Sequence, residues 1–263
     1  MCLKTKHIFS KSGAKVARVL MIIMFVETCD SSSLVRLGKT KVICGISGEL
    51  VQPEAATPGE GILAINFEFS SVSSPGAKSG APSEFAQSTS IFLDNIIRQV
   101  LDLSELCIVE DKLVWTLFID LYCLEGKFSK IYFLFKKYLD DGNVTDAALM
   151  ALVSAIKNLS LPNVSFDDNE KMDIDRENKS TKLNLRMHPV STTYGEFGGI
   201  LLLDPTAREI ELGSSPITVV CSETGDLLGF NRPGGAPLSK EQIAAAISES
   251  KKRSVTVYQE FYA

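Results

Sequence analysis

A polar, acid-rich stretch at residues 167–181 divides the chain into two unequal parts. Asp167, Asp168, Glu170, Asp173, Asp175 and Glu177 stand there among polar residues, and only Met172 and Ile174 are apolar. Such a segment buries too little surface to offset its ordering entropy, so it is expected to be a linker. With 263 residues, 45% of them hydrophobic, the chain has material for one large domain or two modest ones with apolar cores.

Upstream of the linker, Leu34-Val35-Arg36-Leu37 and Thr40-Lys41-Val42-Ile43-Cys44 read as two strands around a tight Gly38-Lys39 turn. Residues 62–69 alternate, placing Leu63, Ile65, Phe67 and Phe69 on one face. Residues 70–83, rich in serine with Pro75 and Pro82, are a loop by composition. A helix entered near Ser83-Glu84 aligns Phe85, Phe92, Ile96, Val100 and Leu103. Residues 112–124 form a long apolar run with one charge inside it, Asp120, read as a strand buried on both faces, the alternative by periodicity alone being a helix. Thr145 and Asp146 open a helix that carries Leu149, Leu152, Val153 and Ile156 on one side.

Downstream, residues 200–203 and 217–221 read as strands, and 227–230 pairs back through Thr224-Gly225-Asp226. Ser239 and Gln242 form a capping box for the last helix, with Leu238 and Ile243 placed as a hydrophobic staple. Each half is thus several strands followed by a helix, an α+β arrangement.

Residues 1–29 stand apart. Lys4, Lys6, Lys11, Lys15 and Arg18 precede an apolar run at 19–26, a pattern shared by secretory signals and by a buried strand over 18–27. The run is too short to span a bilayer, and no usual small-residue cleavage pattern follows it.

The net charge of −5 means that any nucleic-acid contact must come from a local basic patch. Cys2, Cys29, Cys44, Cys107, Cys123 and Cys221 form no Cys-x-x-Cys pair, so buried free thiols in a reducing compartment are expected, without metal or cofactor. The only histidines are His7 and His188, and His188, in an apolar context before Pro189, is expected to be structural. Gly-x-Ser-x-Gly, Walker and Rossmann fingerprints are absent, and the Gly-Gly pairs starting at Gly198 and Gly234 read as turns. Asp120 and Asp204 lie within or at the end of apolar strands, positions open to catalytic or structural acids. Lys78 is the only basic residue of the 70–83 loop. The residues alone reach an α+β protein with no visible active site.

The run Asp30-Ser31-Ser32-Ser33-Leu34-Val35-Arg36-Leu37-Gly38-Lys39-Thr40-Lys41-Val42 resembles the opening hairpin of RNase PH-like proteins, Asp-Gly-Ser-Ala-Leu-Val-x-Leu-Gly-x-Thr-x-Val. Three further matches follow in that family's order, Lys78-Ser79-Gly80-Ala81-Pro82-Ser83-Glu84, Asp140-Asp141-Gly142-Asn143 and Leu202-Leu203-Asp204-Pro205-Thr206, and Met187-His188-Pro189-Val190 and Arg232-Pro233-Gly234-Gly235 add to the resemblance. The resemblance implies an RNase PH-like fold of two related β-sheet-plus-helix domains. They are expected at 30–166, with an insertion near 126–139, and at 182–263 with the C-terminal helix, joined by the 167–181 linker. It also implies a subunit of the RNA exosome, in a hexameric ring of paralogous RNase PH-like subunits under RNA-binding cap subunits. Such a subunit is expected in nucleus, nucleolus and cytoplasm, with RNA threading the ring and no membrane contact.

Active members of that family carry a Thr-Arg pair just after the Asp-Gly-Gly turn, which holds the attacking phosphate. Here those positions are Val144 and Thr145, and Asp146 follows, expected to repel phosphate. A second acid normally comes shortly after the one matched by Asp204, whereas Pro205, Thr206 and Ala207 stand here and Glu209 comes later. No catalytic residue is therefore expected, the alternative being an active phosphate-dependent 3′-to-5′ exoribonuclease. Lys78 stands where related subunits have a channel-facing arginine and is the one expected RNA contact. Two departures are plain: residues 1–29 lack the family's Arg-Pro-Asp-Gly-Arg start, and 126–139 intrudes where a strand should turn directly into Asp140-Asp141-Gly142.

Overall fold

The Gly38-Lys39 turn forms as its residues require: Gly38 takes a φ of +62°, and strand β3 (Ser31–Leu37) returns as β4 (Thr40–Val51) with Leu37 opposite Thr40. The structure, a computed structural model, describes residues 2–7, 18–24, 29–69, 84–124, 143–166, 172–175, 181–213 and 215–262. The apolar run near the N-terminus is a strand, β2 (Arg18–Met24), antiparallel to β3, and β1 (Cys2–His7) pairs on its other side.

Strand β5 (Ile62–Phe69) runs parallel to β7 (Leu113–Leu124), which also pairs antiparallel with β4, giving the order β1-β2-β3-β4-β7-β5. The short β6 (Cys107–Val109) folds onto β7. A parallel pair needs a long connection, and helix α1 (Glu84–Val100) supplies it, packed on β5. The expected α1 stripe is shifted. Leu93, Ile96, Ile97 and Val100 are buried, whereas Phe85 is 42% exposed. β7 is not sealed on both faces either, because Phe118 and Tyr122 reach solvent on the side facing away from the helices.

Helix α2 (Val144–Lys157) is buried on every side rather than on one stripe. It lies against β3 and β4 on one side and against a second sheet on the other. That position explains the serines of the opening hairpin: the Ser31 and Ser33 hydroxyls donate to the Ala155 and Ala151 carbonyls at 2.7 and 2.6 Å.

The second sheet has the order β11-β10-β12-β13, built from β10 (Val190–Phe197), β11 (Ile200–Leu203), β12 (Ile217–Cys221) and β13 (Leu227–Asn231), all antiparallel. Gly198 and Gly199, both at positive φ, make the two-residue β10–β11 turn. Helix α3 (Ala207–Leu212) follows β11, and α4 (Lys240–Phe261) covers β10 and β12. The α4 capping box forms as expected, Ser239 Oγ accepting from Gln242 N and Gln242 Oε1 from Ser239 N. Tyr194 anchors α4 through its hydroxyl, which donates to Ala246 O at 3.1 Å and lies 2.9 Å from Ser250 Oγ.

Two elements depart from the sequence reading. Strand β10 was not expected, yet it is the inner strand facing α2. The acidic stretch is not uniformly a linker: within it β9 (Met172–Asp175) pairs with β8 (Asn163–Phe166), Ile174 opposite Val164. Alternation of acid and apolar residues lets one face of that short hairpin bury while the other stays in water. The 126–139 insertion lies outside the described residues.

Candidate functional site

The first turn of α2 is where the two sheets meet. Asn143 opens the helix from a left-handed conformation, φ +55°, and makes no side-chain cap bond. Its Nδ2 donates instead to Oδ1 of Asp204, the residue just past β11, which is itself left-handed at φ +54°. Asn and Asp tolerate that backbone region better than other side chains. The Asp204 N–H donates to Thr193 O at 3.0 Å, so the end of β11 is tied both to β10 and to the start of α2.

Asp146, in the same turn, is 3% exposed and faces β10. Thr193 donates its backbone N–H to Asp146 Oδ2 at 3.0 Å and its hydroxyl to Oδ1 at 2.9 Å, and Thr218 Oγ1 lies 3.0 Å beyond. Burial holds the Asp146 carboxyl above the ordinary carboxylate range, partly offset by the Arg253 guanidinium and neighbouring hydroxyl and amide groups. The expectation that Asp146 repels an incoming phosphate is therefore corrected, because its carboxylate is turned into the joint between the sheets.

Beside this turn lies a cavity of about 380 Å³. Phe69 and Phe85 form one wall, with Val144, Ile210, Pro216 and Pro233 around the rest. Asn143, Thr145, Thr193 and Thr218 supply its polar groups, and no charged side chain is among the described lining residues. The guanidiniums of Arg232 and Arg253 do not line it.

Other sequence candidates fall elsewhere. Asp120 and Asp204 do not share a site: Asp120 lies on β7 opposite Asn66, whose Nδ2 is 3.4 Å from Asp120 Oδ1, while Asp204 serves Asn143. Glu209 closes a second capping box, accepting from Thr206 N at 2.8 Å, and so holds the start of α3. His188 has a structural seat, its backbone N–H donating to Glu223 Oε2 at 2.6 Å and its ring 5.0 Å from that of Tyr258. Lys78 is outside the described residues. Cys44, Cys107 and Cys221 are free thiols. Among the described residues no cluster of His, Cys, Asp or Glu could hold a metal, and no helix is long and apolar enough to cross a membrane. Thr193 and Thr218 escaped the sequence reading, and the β-branched Thr192-Thr193 pair inside Val190-Ser191-Thr192-Thr193-Tyr194 was the available signal.

The profile for domain 1 of the 3′ exoribonuclease family matches residues 18–162, and that for domain 2 matches residues 188–253. The chain is 29% identical over 225 residues to exosome complex component Rrp42 of Methanothermobacter thermautotrophicus, covering 85% of this chain and 77% of that protein. It is 34% identical over 225 residues to exosome complex component Rrp42 of Pyrobaculum aerophilum, covering 84% and 77%. A chain of the Archaeoglobus fulgidus exosome with RNA bound to the active site superposes with a TM-score of 0.75 at 25% identity, over 93% of this chain and 88% of that one. Rice Rrp46 shares the fold, with a TM-score of 0.63 at 12% identity over 93% and 94%.

Proposed function

The chain belongs to the 3′ exoribonuclease (RNase PH) family and has its two-domain α+β fold, and on that premise we propose that it is a non-catalytic ring subunit of the RNA exosome. In this reading it helps to form the channel through which RNA passes for 3′-to-5′ processing and degradation, ribosomal RNA and messenger RNA included. The observation that carries it is the absence of a charged side chain among the described residues lining the cavity at the start of α2, where Val144 and Thr145 stand in place of the family's Thr-Arg pair. Phosphorolysis brings an anionic nucleophile against an anionic phosphodiester, and without a preorganised cation that approach has no electrostatic compensation. With Asp146 buried, it is the lack of a cation among the described lining residues that leaves a phosphate uncompensated there.

The partners in this reading are paralogous RNase PH-like subunits of a hexameric ring, RNA-binding cap subunits and RNA itself, in nucleus, nucleolus and cytoplasm. The ordered motifs, Met187-His188-Pro189-Val190 and Arg232-Pro233-Gly234-Gly235 among them, most resemble ribosomal-RNA-processing protein 43, and we take the chain for a subunit of that kind. Two measurements test the whole reading. A tagged chain should pull down other RNase PH-like subunits, and the purified chain or its heterodimer should release no nucleoside diphosphate from RNA when phosphate is added. Phosphate-dependent release would make it an active exoribonuclease instead.

A further inference from the structure

We propose that the outward face of the first sheet is a self-complementary surface on which a second copy of this chain docks face to face. Alternation along its two central strands sets that face. Val42, Cys44 and Ile46 of β4 and Leu117, Ile119 and Leu121 of β7 are buried in the core. Lys41, Ile43, Gly45, Ser47 and Glu49 are thereby turned to the other side, with Phe118, Asp120 and Tyr122. Phe118 and Tyr122 are 40% and 39% exposed there. Cys29 fills the space above Gly45, its Sγ 3.2 Å from where a Cβ would stand.

Gly45 stands directly opposite Asp120, and the face reads the same in both directions from that pair. On β4, Lys41 comes four residues before Gly45 and Glu49 four after; on β7, Phe118 comes two before Asp120 and Tyr122 two after. A two-fold axis running across the strands at this level sets Lys41 of each copy over Glu49 of the other, and Phe118 over Tyr122. Sheets packed face to face lie about 10 Å apart with their strands nearly aligned, a gap that aromatic and long charged side chains fill. Among the described residues, neither the Lys41 nor the Glu49 side chain has an ion-pair or hydrogen-bond partner. Each end of the face therefore keeps a charge of the sign that the other end lacks. The acids Glu49 and Asp120 make the same face a poor seat for a polyanion. Asp120 opposes the pairing, because the axis brings it near its own copy, and Asn66 Nδ2, 3.4 Å from Asp120 Oδ1, softens that contact.

The test is sedimentation velocity of the purified full-length chain over a range of micromolar concentrations. No other subunit and no RNA is present, so the result stands apart from the ring reading. Wild type is expected to dimerise, and Phe118→Ala to be monomeric with an unchanged circular dichroism spectrum. Lys41→Glu and Glu49→Lys, each alone, are expected to weaken the dimer about tenfold by setting like charges over each other. An equimolar mixture of those two variants should dimerise at least as tightly as wild type, because every such contact then joins opposite charges. Asp120→Asn should tighten the dimer. A wild-type chain that stays monomeric, a dimer indifferent to Phe118→Ala, or a mixture no tighter than its components would each overturn the proposal. So would a monomer that binds a paralogous RNase PH-like subunit through Phe118, which would give the face to that partner.

Discussion

Thr193 gives both its backbone N–H and its hydroxyl to Asp146, one to each carboxylate oxygen, joining the first turn of α2 to the inner strand of the second sheet. Asp146→Ala would strand both buried donors and is expected to cost about 2–4 kcal/mol. Asp146→Asn, which retains an acceptor for the N–H and a donor for the hydroxyl oxygen, should cost far less. Urea midpoints of the two variants check the difference.

The same pair predicts a pH dependence. The folded chain binds the Asp146 proton more tightly than the unfolded chain, because burial raises this carboxyl's pKa. Its contribution to stability therefore falls as pH rises from the ordinary carboxylate value through the raised one, and is level above it. Asp146→Asn should remove that fall, so the gap between variant and wild type in urea midpoint should shift toward the variant across the acidic range. A constant gap would contradict the argument.

The C-terminal end of α4 is locked into the core. Tyr262 is 2% exposed, its carbonyl accepts from Lys157 Nζ, and it packs in the cluster that contains Leu152 and Val35. Tyr262→Ala is expected to cost about 3 kcal/mol and lower Tm by roughly 10 °C. Calorimetry measures this directly.

Lys78→Glu is expected to reduce crosslinking of RNA to this subunit by reversing the charge opposite a phosphate, without altering co-purification of neighbours. Unchanged crosslinking would remove Lys78 from the channel.

Deleting residues 126–139 is expected to raise co-purification with neighbouring subunits, since the segment adds apolar and basic residues between β7 and α2. Quantitative pull-down of the shortened chain decides this.

How far the fold was legible follows from where each signal resides. The Gly38 turn and the Ser239/Gln242 cap depend on residues within four positions of one another, so local chemistry exposed them. Strand β10 did not show, because Ser191, Thr192 and Thr193 look solvated in sequence, although all three are buried and Thr193 is held by Asp146, far away in sequence. The α1 stripe was misplaced for a similar reason: Phe85 looks like core but faces the cavity, while Leu93 and Ile97 carry the burial. That Thr145 stands where the resemblance implies an arginine was an expectation the sequence could offer, whereas the place of Asp146 was not. A carboxylate's role depends on which way the helix turns it, and that is decided by the second sheet.

The all-round burial of α2 has a consequence for how the chain can be divided. Cutting at the linker would leave the first fragment with one flank of its central helix bare, and the second with Val190 and Val220 uncovered. Neither piece is a portable module. Expression of either alone should yield aggregation, and only co-expression should rescue both, as in a split protein whose fragments share a spine.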